Sequence, residues 1–128
     1  MDPRWLPREA VLAMHERQLA EHGGGEGVRD IGLLDSALQR PLNKFAYTTP
    51  DPFDLAAAYA FGIARNHPFV DGNKRTALVA SFTFLKINGF RMKSTQTDNV
   101  RTFLALAAGE IGEDELAQWF RANAEIVG

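Results

Sequence analysis

The chain has 128 residues, no cysteine, a net charge of −2 and a pI near 5.9. That length predicts one domain, residues 1–128, able to bury about two-thirds of its unfolded surface around a real core. The acidic balance argues against nonspecific nucleic-acid binding, and the lack of cysteine removes disulfides and thiolate metal sites.

The N-terminal MDPRWLPRE holds no apolar signal core, and no apolar run approaches the ~18 residues of a membrane span. The expectation is a cytoplasmic protein without direct nucleic-acid or membrane partners. Pro7, Arg8, Glu9 and Ala10 read as a helix start, continued by Val11, Leu12, Met14 and Leu19 and stopped by Gly23-Gly24-Gly25. His15 and His22 are seven apart and share a face, but no third metal ligand is near in sequence. The glycine-rich stretch 23–29 has neither the spacing nor the preceding strand of a dinucleotide-binding loop. Asp30 is placed to cap a short second helix carrying Leu33, Leu34, Ala37 and Leu38. Arg29 beside it either pairs with Asp30 to fix the loop or is solvated beside a helix cap. Residues 41–51 (PLNKFAYTTPD) have turn formers at both ends and are expected to interrupt the helix. Asp51-Pro52-Phe53-Asp54 is a strong helix start. The alanine-rich run that follows, to Asn66, reads as the central helix, with Gly62 marking a close crossing.

Pro68 ends that helix and pushes His67 out of helical backbone angles. There follows HPFVDGNKRT, His67 to Thr76, which concentrates an imidazole, a carboxylate, an amide and two cations ahead of an apolar helix, Gly72 to Asn88. Imidazole can take a proton near neutral pH, so His67 is the candidate general base. Asp71 is a hard oxygen ligand of the kind that holds Mg²⁺ together with substrate phosphates. Gly72, Asn73 and Lys74 fall where free helix N–H groups form an anion site, and Lys74 and Arg75 add full positive charges there. Cations are unfavourable at that end of an isolated helix, which points to an arriving anion. Phe90 to Ser94 reads as a short extended piece. Thr95 with Asp98 starts a fifth helix through Val100, Phe103, Leu104 and Leu106 to Gly109, and a last helix carries Leu116, Trp119, Phe120 and Ile126. Trp119 reads as core.

The segment His67–Thr76 resembles the signature of the Fic/Doc family, HxFx(D/E)(G/A)N(G/K)R, at every defining position. Lys74 stands where Fic adenylyltransferases have glycine, and Leu78 where they have a second arginine; both are similar to the death-on-curing (Doc) branch. Gly72, where Doc toxins can carry alanine, is on the Fic side. Residues 27–41, GVRDIGLLDSALQRP, also resemble Doc proteins, and the likeness extends over roughly residues 8–120.

This resemblance implies an all-α bundle of about six helices with a short flap or hairpin near residues 41–51. Asn43, Lys44, Phe45, Ala46 and Tyr47 would dock the target by strand addition, or Phe45 and Tyr47 would simply seal the core edge. It implies a toxin that transfers phosphate from ATP, with Mg²⁺, to a hydroxyl of elongation factor Tu and so blocks translation. His67 would act as base, Asp71 would hold the metal, and Gly72, Asn73, Lys74 and Arg75 would cradle phosphates. Transfer of AMP to a protein hydroxyl is the alternative, and a non-catalytic binding module the second alternative. Fic enzymes can carry an inhibitory (S/T)xxxE(G/N) helix, but no Ser or Thr here is followed by Glu four residues on; Ser94 with Asp98 and Asn99 comes nearest. Restraint is therefore expected from a small antitoxin whose C-terminal segment folds as an amphipathic helix beside Arg75.

Overall fold

The computed structural model describes residues 2–127. It consists of helices α1 (Arg8–His22), α2 (Ile31–Tyr47), α3 (Pro52–Asn66), α4 (Asn73–Ile87), α5 (Gln96–Ala107) and α6 (Glu113–Asn123), and two short strands, β1 (Phe90–Met92) and β2 (Ala124–Ile126). The helix starts follow local chemistry. Asp51 accepts from the Asp54 N–H at 2.8 Å while Asp54 accepts from the Asp51 N–H at 3.0 Å, the reciprocal cap that the sequence DPFD predicts. Asp30 and Thr95 cap α2 and α5 in the same sense, from Leu33 and Asp98 N–H. None of the described helices is long and apolar enough to cross a membrane.

Helix α3 is the axis of the bundle, with α2, α4 and α6 packed around it. Its residues 55–60 and 62–64 are buried. Small side chains let neighbours approach closely: a Cβ added to Gly62 would come within 3.1 Å of the Ala37 Cα and O. Tyr59, Phe84, Leu34 and Leu55 fill one part of the core. Phe82, Phe103, Trp119 and Phe120 form an aromatic cluster between α4, α5 and α6, with centroids 5.4–6.4 Å apart. Trp119 is thus a packing residue.

Six helices are present, as the sequence implied, but two segments differ from expectation. The stretch expected to be a flap or hairpin is helical through Tyr47, with Pro41 buried inside α2. Pro41 can donate no hydrogen bond to the Ala37 carbonyl, and that carbonyl lies against Gly62 of α3. Contacts beyond Pro41 keep the helix going. Arg40 and Lys44 both pair with Glu113 at the start of α6, Gln39 donates to Asn43 at 3.0 Å, and Phe45 meets Trp5 edge-on at 5.6 Å. Tertiary anchoring outweighs the local helix break. The second difference is at the end of the chain. Helix α6 stops at Asn123, and Ile126 lies in β2, which pairs antiparallel with β1 in the register Phe90↔Ile126, Arg91↔Glu125, Met92↔Ala124. The extended piece expected at Phe90–Ser94 has its partner there.

Candidate active site

Helix α3 delivers His67 to the surface and stops on it. The His67 N–H still donates to the Ile63 carbonyl at 3.3 Å, but the residue itself is left-handed, φ 49° and ψ 55°. It is the one non-glycine residue with positive φ among those described. Such a conformation costs on the order of 1–3 kcal/mol and persists only where its surroundings enforce it. Pro68 was expected to push His67 out of the helix; a left-handed rather than extended outcome was not foreseen.

The surroundings are supplied by the loop before α2. The Arg29 and Asp30 N–H groups both donate to the Pro68 carbonyl, at 2.7 and 3.1 Å, and the Val70 N–H donates to the Gly27 carbonyl at 3.1 Å. Val28 and Phe69 form an antiparallel bridge between the two loops. The Arg29 side chain reaches past them, Nε donating to the His67 carbonyl at 2.7 Å and a terminal nitrogen to the Asn66 carbonyl at 2.9 Å. Arg29 therefore fixes the loop, yet not through Asp30, whose carboxylate is engaged in capping α2.

Further along, His15 of α1 is only 2% exposed. Its ring stacks on Phe69 at 3.8 Å, and its Nε2 lies 2.8 Å from the Asp71 carbonyl, so that nitrogen carries the hydrogen and donates. His22, on the same helix face in sequence, instead lies near Glu21 at the surface. The glycine-rich stretch packs directly on the motif loop. A Cβ at Gly24 would come within 2.7 Å of the Asp71 Oδ2, and one at Gly25 within 2.9 Å of Val70. Asn73 turns its carboxamide inward, pairing with the Phe69 backbone, and its Nδ2 approaches His67 Nδ1 at 3.5 Å.

Helix α4 begins at the floor of the site. Gly72 takes φ +77° as its N-cap, a conformation that suits glycine, and supplies no side-chain cap. The first internal bond is Thr76 N–H to the Gly72 carbonyl, so the N–H groups of Asn73, Lys74 and Arg75 have no partner among the described residues. Neither Lys74 nor Arg75 makes an ion pair among the described residues. These groups line a cleft of about 350 Å³ together with His67, Val70, Asp71 and Ala107. Asp71 is exposed there, with Oδ1 accepting from the Gly72 N–H at 2.7 Å. No cluster of three or more His, Asp or Glu side chains occurs among the described residues. A single accessible carboxylate beside an anion site suits a cation that takes most of its shell from phosphates and water, as Mg²⁺ does.

Of the residues singled out from the sequence, His67, Asp71, Gly72, Asn73, Lys74 and Arg75 come together in this cleft. Asn43, Lys44, Phe45, Ala46 and Tyr47 do not. Asn66 donates to the Leu33 carbonyl and Gly62 abuts Ala37, so α2 runs antiparallel to α3. Its last turn therefore lies by the start of α3, about 20 Å along the helix from His67. Strand addition at 43–47 is also precluded, because their backbone groups lie within a helix. Sequence reasoning missed Gly24 and Ala107 as contributors, weighed His15 only as a metal ligand, and gave Arg29 a role in fixing the loop without its carbonyl partners. The one available signal was His15 sitting on an otherwise apolar helix face.

Comparison with known proteins agrees with this arrangement. The model of the Fic/DOC family matches residues 5–85. Toxin Doc of Mycolicibacterium smegmatis is 47% identical over 92 residues, covering 69% of this chain and 67% of that protein. Protein kinase doc of Escherichia phage P1 is 31% identical over 119 residues, covering 92% of this chain and 94% of that protein. With the motif loop, the bare N-terminus of α4 and the matched region all falling on the same residues, the chain belongs to the Fic/DOC family, on its Doc branch.

Proposed function

We propose that this protein is a Doc-like toxin that moves the γ-phosphate of ATP onto a hydroxyl of a target protein, elongation factor Tu by family resemblance, and so arrests translation. The observation that carries this reading is the cleft in which His67 and Asp71 face the unpartnered N–H groups and cations at the start of α4. Likeness over nearly the whole length of a phage protein named as a kinase supports phosphate rather than AMP as the transferred group.

His67 takes the proton of the target hydroxyl as its oxygen attacks the γ-phosphorus. The bond to the bridging oxygen breaks, and ADP leaves. A neutral ring that accepts the proton at Nε2 carries its hydrogen on Nδ1, which then has nothing to receive from the Asn73 amide. The 3.5 Å separation of those atoms, at the limit of a hydrogen bond, is compatible with that tautomer. The N–H groups of Asn73, Lys74 and Arg75 hold phosphate oxygens, with the Lys74 and Arg75 charges behind them. The inward-turned Asn73 side chain contributes by shaping the loop. Asp71 would hold Mg²⁺, whose chemistry when bound is to offset phosphate charge.

AMP transfer is the second reading, favoured by Gly72 alone. Against it, Lys74 fills space that glycine would leave open, and Leu78 offers no grip on a distal phosphate. A small antitoxin fits the exposed Arg75, which makes no ion pair among the described residues, through an acidic residue on a C-terminal helix. Its apolar face is supplied with a partner by the exposed Val100 and Leu104 of α5, a helix whose end lines the cleft through Ala107.

The test is mass spectrometry of elongation factor Tu incubated with the protein, ATP and Mg²⁺. One added phosphate, lost in His67→Ala by roughly 10²–10⁴-fold in rate, is the expected result. One added AMP would replace the kinase reading with the second one. No addition at all would leave the non-catalytic binding module.

A further inference from the structure

The geometry points to Arg29 as the residue that sets the backbone of the general base, and so as a positioning residue for transfer. This inference rests on the role proposed for His67. Its starting point is the left-handed conformation of His67, φ 49° and ψ 55°, followed directly by Pro68. A residue before proline favours extended angles, so the cap bond from the His67 N–H to the Ile63 carbonyl works against a local preference. The direction of its Cβ, and hence of its imidazole, depends on two peptide planes, the one before its Cα and the one after.

Arg29 holds both. Its guanidinium donates to the Asn66 carbonyl at 2.9 Å, which orients the preceding plane, and to the His67 carbonyl at 2.7 Å, which orients the following one. Its backbone N–H then takes the next carbonyl, Pro68, at 2.7 Å. Three consecutive carbonyls are thus gathered by one residue 37 and 38 positions away in sequence from the two its side chain reaches. The planar fork of arginine can span two neighbouring carbonyls at once, which a lysine ammonium cannot do in fixed geometry. Carbonyls at a helix C-terminus also carry the negative end of the helix dipole, so a cation is favoured there.

Without the guanidinium, the preceding plane keeps only the bond from the His67 N–H to the Ile63 carbonyl, the following plane loses its side-chain anchor, and His67 relaxes toward extended angles, taking the imidazole out of line with the cleft. The effect belongs to the transfer step and not to nucleotide binding, because the phosphate-binding N–H groups of α4 make no contact with Arg29.

The experiment is a double-mutant cycle with His67→Ala, read as phosphate transfer to elongation factor Tu. Arg29→Ala is expected to lower kcat by roughly 10- to 100-fold with the KM for ATP unchanged. Arg29→Lys should fall between it and wild type. In the His67→Ala background, Arg29→Ala should remove nothing further, since Arg29 acts through His67. An unchanged kcat in Arg29→Ala, or an equal loss in the presence and absence of His67, overturns the proposal. Should Arg29→Ala fail to fold, Arg29→Lys decides alone, and wild-type kcat in that variant overturns it. Carbon chemical shifts of His67 give a readout independent of activity. Movement of its Cα and Cβ shifts from left-handed toward extended values in Arg29→Ala or Arg29→Lys supports the brace, and unmoved shifts overturn it. If wild-type protein modifies nothing, the functional reading fails and these shifts still decide whether Arg29 sets the His67 backbone.

Discussion

The Asn73 carboxamide closes on both polar groups of a single residue, its Oδ1 accepting from the Phe69 N–H at 3.0 Å and its Nδ2 donating to the Phe69 carbonyl at 3.0 Å. Both partners are buried, Asn73 to 8% exposure and Phe69 to 1%. The pair ties the middle of the motif loop to the first residue of α4. Loss of the carboxamide leaves a buried donor and a buried acceptor unpaired, each worth about 1–3 kcal/mol. Asn73→Ala is therefore expected to lower the Tm and the transfer rate together. Asn73→Asp should be no better despite its near-identical shape, because it sets a carboxylate oxygen against the Phe69 carbonyl. Thermal unfolding of the two variants checks this, and an Asn73→Asp protein as stable as wild type would sink it.

Lys74 tests which phosphate is transferred. Replacement by glycine reopens the start of α4 and removes a charge that makes no ion pair among the described residues. Lys74→Gly is expected to lower phosphate transfer and to allow a measurable share of AMP transfer, scored by mass spectrometry of the target. AMP addition by the unchanged protein, with no phosphate, would refute the role given to Lys74.

Asp51 links acid stability to the helix that carries His67. Burial alone would raise its pKa. The hydrogen bond from the Asp54 N–H and the hydrogen bond and charge of Arg121 outweigh that and hold it below the ordinary aspartate value of 3.8. A carboxylate with a lowered folded pKa stabilises the fold fully above its unfolded pKa, and the contribution fades as pH falls through the folded one. Asp51→Ala should thus lower stability by about 0.5–2 kcal/mol near neutral pH, the worth of an N-cap. It should also flatten the loss of stability below pH 3.8. Urea midpoints measured above and below that pH provide the comparison; parallel curves for the two proteins would contradict the assignment.

Gly62 is a packing requirement and not a weak point of α3. Alanine is the better helix former by about 1 kcal/mol. Its Cβ, however, would come within 3.1 Å of Ala37 backbone atoms, which cannot swing aside as a side chain can. Overpacking of this sort costs about 1–3 kcal/mol. A lower denaturant midpoint is expected for Gly62→Ala, and a raised midpoint would show that α2 shifts freely.

Much of this was legible before the structure because proline, glycine and aspartate punctuate the chain. Asp51-Pro52 opens α3, Asn88-Gly89 follows α4, and the motif from His67 to Thr76 gathers its chemistry within ten residues. What failed was long-range. Pro41 reads as a break, and only Glu113, Trp5 and Gly62, far away in sequence, explain why α2 runs through it. Ile126 continues an apolar helical pattern but is drawn into β2 by pairing with Phe90. Arg29 next to Asp30 reads either as a local ion pair or as a solvated arginine beside a helix cap, because its true partners are carbonyls, which carry no signature in side-chain sequence.

The burial of α3 has a kinetic corollary. Its amides lie between α2, α4 and α6, so their exchange with solvent must wait for opening of the whole bundle. Residues 24–26 are exposed, their N–H groups make no hydrogen bond among the described residues, and they belong to the fast end of the same scale. His67 sits where the two regimes meet, its amide bonded into α3 and its carbonyl held by Arg29. The glycine-rich stretch 24–26 can therefore open and re-form many times within the lifetime of one folded molecule, while Arg29 and the backbone of His67 stay in place.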